Sequence, residues 1–162
     1  MKVEPLNRSF GAKVSELSLP DLNQDEVQDI YKLWLQYALL IFPQQNLTNS
    51  QQIEFAKNFG ALEFDLSPIS NVRNDGSIRD ANDDDIVKSL KGNMEWHHDS
   101  TYMPIQAKGA VFTAHKVPKK GGETGWADMR AAYEGLSLAM KEKIEDLSAF
   151  HSYEWSQKER FG

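Results

Sequence analysis

The sequence has 162 residues, 40% of them apolar and 26% charged, with a formal net charge of −6 and a pI of about 5.2. That is the composition of one folded globular domain, 1–162, and not of a disordered chain; the acidic balance disfavours a nucleic-acid partner, which needs a basic face to meet phosphates. The absence of cysteine excludes a disulfide framework, a thiolate zinc site and a Cys nucleophile together.

The start of the chain has no apolar stretch behind a basic end, so no secretory signal is visible. The longest apolar run, YALLIF at 37–42, is far too short to span a bilayer. A cytoplasmic protein without a membrane partner is the expectation. There is no internal repeat.

Residues 25–38 place Val27, Ile30, Tyr31, Trp34 and Tyr37 at helical spacing and predict an amphipathic helix. LLIF, 39–42, ends at Pro43 and reads as a short buried strand. Thr48 and Gln51 form a capping box, opening a helix that turns Ile53, Ala56 and Phe59 inward and stops at Gly60. The polar segment 73–92, with the run Asp83-Asp84-Asp85, reads as a solvated loop, because like charges repel and stay wet. AKGAVFTAHKV, 107–117, predicts a strand, followed by the turn PKKGGET. Residues 127–147 predict two helices broken at Gly135 and Ser137. The resulting fold class is α+β.

The chemistry concentrates in NMEWHHDSTY, 93–102. In a strand, side chains i and i+2 share a face, so His97 and Asp99 reach one ion while His98 points away. An imidazole and a carboxylate are two of the three ligands of a facial triad on non-haem Fe(II). With four His and 24 acidic residues, one such pair also arises readily by chance. The alternative is Asp99 capping a turn at Ser100, with His97 a hydrogen-bonded strand histidine.

WHHDSTY lies upstream of PKKGGETGWADMRAAYEGL, 118–136, and the two together closely resemble the TauD/TfdA family of Fe(II)- and 2-oxoglutarate-dependent dioxygenases. That family shows W-H-x-D, then a GG-[DEN]-T turn leading into an A-[DNS]-M-R-A-A-Y helix. Thr124 follows His97 by 27 positions, as in the family pattern. FGAKVSELSL, LLIFPQQNLTNSQQIEFAKNFGALE and ISNVRNDG also look like successive segments of the TfdA-like branch, so the resemblance runs along essentially the whole chain.

The resemblance implies a double-stranded β-helix, a cupin-like jelly roll with flanking helices. It implies His97 and Asp99 as iron ligands, Thr124 donating to the distal carboxylate of 2-oxoglutarate, Trp126 walling that pocket and Asn93 touching substrate. His98 takes the variable middle position, and His115 is expected to be structural. The implied reaction uses Fe(II), 2-oxoglutarate as cosubstrate and O2. It hydroxylates a C–H bond of a small organic acid, aryloxyalkanoate- or sulfonate-like, and yields succinate and CO2. A homo-oligomer is compatible with the family, in which dimers and tetramers are common.

The family's second metal histidine and its carboxylate-pairing arginine come from a later strand, expected beyond Gly162. The chain therefore reads as the N-terminal part of the domain, its sheet unfinished. His151, in FHSYEWSQKERFG, matches a segment that does not bind metal in the family, and Arg160 reads as a solvated arginine. The alternative to an enzyme is a non-catalytic fragment or interaction module that keeps half of the metal site. A zinc hydrolase built on His97, His98, Asp99 and His115 would need an irregular backbone and would leave the GGET turn without a purpose.

Overall fold

The structure is a computed structural model and describes residues 1–6, 8–80 and 82–155. It divides into two compact units that interleave in sequence. One holds Met1–Leu62 and Val111–Leu147; the other holds Glu63–Ala110 and Ser148–Gly162.

The first unit begins with three short strands, β1 (Lys2–Pro5), β2 (Ala12–Ser15) and β3 (Leu40–Ile41), in spatial order β1-β2-β3. β1 runs antiparallel to β2 with Val3 opposite Val14, and β2 runs parallel to β3 with Ala12 opposite Leu40. Along β2 the side chains alternate, so Ala12 and Val14 are fully buried while Lys13 faces water. Gly11 turns the chain into β2 at φ +93°, a conformation that favours glycine; a Cβ there would also press on the movable tip of Leu6, 2.9 Å away.

Helix α1 (Gln24–Tyr37) forms where the apolar spacing predicts it. Its start is fixed by a capping box: Glu26 N–H donates to Asn23 Oδ1 at 3.0 Å, and Asn23 N–H donates to Glu26 Oε2 at 2.9 Å. It ends on Ala38 in the left-handed conformation, whose N–H returns to Trp34 O. Helix α2 (Asn49–Lys57) opens with the Thr48–Gln51 capping box, as its sequence requires. Ile30, Leu19, Leu47 and Phe55 form the core, with Leu17, Leu22, Leu40, Phe42, Phe59 and Val111 packed around it. Phe55 is thus the deepest side chain of α2, whereas Ile53, Ala56 and Phe59 are half-buried. LLIF is shorter and wetter than expected: two residues pair, and Ile41 is exposed because it stands beside Lys13 on the solvent face of the sheet.

Residues 107–117 do not form a strand. Among the described residues no strand lies beside them to accept a ladder; instead the Gln52 amide of α2 donates to Val111 O at 3.0 Å. His115 is accordingly exposed and off any strand. Helices α4 (Met129–Glu134) and α5 (Leu138–Ile144) follow, with Gly135 closing the first and Ser137 capping the second.

In the second unit, segment 73–92 is not a loop throughout. Val72 and Ile78 pair across a turn with Gly76 at φ +85°, and Asp85–Gly92 forms helix α3. Asp84 is its N-cap, accepting from Ile86 N–H at 3.0 Å, while Arg73 and Arg79 reach the same carboxylate at 3.1 and 3.2 Å. Burial pushes the Asp84 carboxyl up, but the Arg79 guanidinium and the helix N–H bonds outweigh it and hold it below the usual value. Asp83 and Asp85 do stay in water. Val87 is the one buried hydrophobic residue of this unit among those described.

The architecture is α+β with a small, open sheet. No helix among the described residues is long and apolar enough to cross a membrane.

Candidate metal site

The site stretch follows directly on α3, with Asn93 as the C-cap. Asn93 N–H donates to Leu90 O and Ser89 O, and its side chain is exposed. From here to Met103 the backbone is irregular, not the strand its residue types suggested. The break lies at Ser100, in the left-handed region at φ +58°, in a turn closed by Met103 N–H on Ser100 O at 3.1 Å. Among the described residues no strand neighbours this stretch, so the local turn satisfies the backbone instead.

This turn brings His97 and Asp99 together by a different route. His97 Nε2 lies 3.2 Å from Asp99 Oδ1. His97 Nδ1 lies 2.6 Å from the Glu95 carbonyl oxygen. A carbonyl only accepts, so Nδ1 donates in this contact, and Nε2 is the ring nitrogen turned toward Asp99. This is how metal-binding histidines are usually oriented, with the far nitrogen tied to a backbone carbonyl or a carboxylate.

Two donors bound at right angles to one divalent ion, with bonds of about 2.0–2.2 Å, sit about 3 Å apart. The observed separation suits adjacent ligands on one ion, and the donor set, one imidazole and one carboxylate, suits iron, manganese or zinc. Both side chains are open to solvent, so an ion has access. The residues present therefore fit two positions of a metal site. No group of three His, Asp or Glu side chains that would complete one occurs among the described residues.

His98 turns elsewhere, as the middle position implied. Its Nδ1 lies 2.8 Å from Asp99 O, and the Gln106 amide sits 2.9 Å from the same ring nitrogen. Trp96 is exposed. Thr124 and Trp126 belong to the other unit and are both exposed. The GGET turn before them is built as its glycines demand: Gly121 and Gly122 both have φ near +77°, at +78° and +76°. Asp128 then caps α4, accepting from Arg130 and Ala131 N–H, and these bonds hold its carboxyl below the usual value. His151 is exposed, and Arg160 lies outside the described residues.

Sequence reasoning missed two contributors. Ser100 Oγ donates to Glu63 Oε2 at 3.1 Å from 37 positions away, and Gln106 meets His98. No local pattern marks Glu63; only the tertiary fold brings it here.

Comparison with known proteins places these observations in a lineage. The profile of the taurine catabolism dioxygenase TauD, TfdA family matches residues 2–161. An (S)-phenoxypropionate/alpha-ketoglutarate-dioxygenase of Sphingobium herbicidovorans is 55% identical over 156 residues, which is 96% of this chain and 54% of that protein. The protein of the same description from Delftia acidovorans is 47% identical, over 97% of this chain and 56% of its own. The crystal structure of AAD-2 in complex with Mn(II) and N-oxalylglycine superposes with a TM-score of 0.87 at 35% identity, covering 98% of this chain and 59% of that one. The chain thus spans about half the length of the curated relatives it matches.

Proposed function

From membership of the TauD/TfdA family, to which this chain belongs, we propose that it contributes to an Fe(II)- and 2-oxoglutarate-dependent dioxygenase acting on a small organic acid. The observation that carries the reading is the convergence of His97 Nε2 and Asp99 Oδ1 at 3.2 Å, with the His97 ring oriented by Glu95 O.

His97 and Asp99 would hold the metal on one face, and a third protein ligand has to come from outside the described residues. Iron with 2-oxoglutarate and O2 supplies the oxidising power for attack on a C–H bond, giving succinate and CO2. This chain's own residues bind and orient. Asp99 would bring the negative charge that offsets the dication, and His97, its ring oriented by Glu95 O, would offer Nε2 to the metal. Thr124 would donate its hydroxyl to the distal carboxylate of 2-oxoglutarate, with Trp126 as an apolar wall. The exposed Asn93 amide, at the end of α3, would contact substrate.

For substrate we favour an aryloxyalkanoate over a sulfonate, because both relatives named above are described as phenoxypropionate enzymes. The likeness to AAD-2 supports reading residues 1–162 as part of one cupin-like domain whose core is a double-stranded β-helix.

The test is anaerobic equilibrium dialysis of the chain against Fe(II) with 2-oxoglutarate. Uptake that disappears in both His97→Ala and Asp99→Ala is expected. Uptake unchanged in either variant removes that residue from the metal site.

A further inference from the structure

The turn that carries Asp99 has little to hold it. The Asp99 side chain is 75% exposed, Met94 and Trp96 project into water, and Val87 is the nearest buried apolar residue along the described chain. Ser100, next to the ligand, adopts φ +58°, a region that costs an L-residue energy unless its surroundings compensate. A carboxylate on such a turn samples many positions unless the turn is tethered. Yet Asp99 Oδ1 stands 3.2 Å from His97 Nε2, where a shared ion requires it.

Among the described residues, two contacts reach the turn from elsewhere in its unit: the Tyr102 ring stands 5.0 Å from that of Tyr153, and Glu63 hydrogen-bonds Ser100, the residue next to Asp99. Glu63 Oε2 accepts the Ser100 hydroxyl at 3.1 Å, within the same compact unit. This bond acts on the residue whose backbone aims Asp99. Glu63 does not join His97 and Asp99 as a third donor in a metal-sized group.

We propose that Glu63 is a positioning residue of the metal site: by accepting the Ser100 hydroxyl it holds the turn that points Asp99 at His97. This rests on the reading of His97 and Asp99 as metal ligands. Glu63 carries no chemistry of its own. Its contribution is to lower the number of conformations Asp99 gives up on binding an ion.

The experiment is an NMR titration of the 162-residue chain with Mn(II), following paramagnetic broadening of the His97 ring signals, which reports weak as well as tight binding. Glu63→Ala and Ser100→Ala should each weaken Mn(II) binding about 3- to 10-fold, the low end of what outer-shell partners contribute because this one is exposed. Together they should be no worse than either alone, since both break one interaction. Glu63→Gln keeps an acceptor oxygen while losing the charge, and should stay within about 2-fold of the unaltered chain. Thermal midpoints without metal should differ little among the four. Unchanged affinity in Glu63→Ala, or additive losses, overturns the proposal. Glu63→Gln as weak as Glu63→Ala also overturns it, because charge and not the hydrogen bond would then be responsible. If the unaltered chain shows no broadening at His97, or Mn(II) broadens the neighbouring His98 ring signals as strongly in His97→Ala, the ligand reading itself falls and this inference with it.

Discussion

Phe55→Ala should cost the first unit much of its stability and loosen the segment that leads to the GGET turn. Phe55 is 6% exposed and belongs to the four-residue core with Leu19, Ile30 and Leu47. Its ring meets Phe42 edge-on at 5.9 Å and Phe59 at 5.2 Å, so truncation removes two aromatic contacts as well as the buried area. Phenylalanine-to-alanine changes at such sites cost about 3–5 kcal/mol, against total stabilities of about 5–15 kcal/mol. Phe55→Leu retains most of the volume and should cost under about 2 kcal/mol. Val111 packs on the same core, and Gln52, one turn before Phe55 on α2, donates to Val111 O. The damage should therefore reach 111–124, the stretch that ends at Thr124. Urea unfolding gives the free energies, and the methyl resonances of Val111 report the transmission. A cost below about 1 kcal/mol would refute the core assignment. A full cost with the Val111 methyls unmoved would refute the link to the turn.

Thr48→Ala removes a capping-box side chain and should destabilise by about 1 kcal/mol in urea, while Thr48→Ser should be near neutral; equal losses would show that the cap is not what matters. The carboxyl of Asp84 is held below its ordinary value of 3.8, so its contribution is fully present above that value and is lost as pH falls through the depressed one. The stability gap between the unaltered chain and Asp84→Asn, measured by urea midpoint at successive pH values, should therefore be constant near neutrality and shrink in acid. A gap that persists at low pH would contradict the ion-pair reading. Gly121→Ala should cost about 1–2 kcal/mol for its positive φ alone, and Gly122→Ala more, because its new Cβ would also meet Pro118 Cγ at 3.0 Å. The reverse order in thermal or urea unfolding would mean that the turn is built differently.

What the sequence made legible was mostly local. Thr48 with Gln51 named the start of α2, Gly135 and Ser137 divided α4 from α5, and the spacing of Val27 and Ile30 set the buried face of α1. These signals act over three or four residues and need no distant partner. Strands β1 and β2 went unread, although AKVS alternates as a half-buried strand should; four residues are too short a run to stand out. The opposite error occurred at 107–117, where strand-like residues have no neighbour to pair with among the described residues, and a strand exists only as part of a ladder.

The metal pair illustrates the same division. His97 and Asp99 were legible as residue types, and the structure does bring them together, but the reason given for it was wrong. A regular strand would set their Cα atoms about 6.6 Å apart on one face, with side chains standing roughly parallel. A common ion needs the donors to converge, and parallel side chains converge poorly. The left-handed Ser100 and the turn closing on Met103 bend the chain just after Asp99, and that bend lets Oδ1 come to 3.2 Å from Nε2. In this chain the H-x-D pair therefore sits in a turn and not in a strand. Its neighbour Ser100, whose hydroxyl donates to Glu63 Oε2, shares the turn with the two proposed ligands. The consequence is specific: a substitution that straightens residues 99–102 should abolish metal uptake while leaving both proposed ligands in place. Ser100→Val is such a change, because a β-branched residue tolerates φ +58° poorly. Metal uptake unchanged in Ser100→Val would return the pair to the strand geometry first inferred from its spacing.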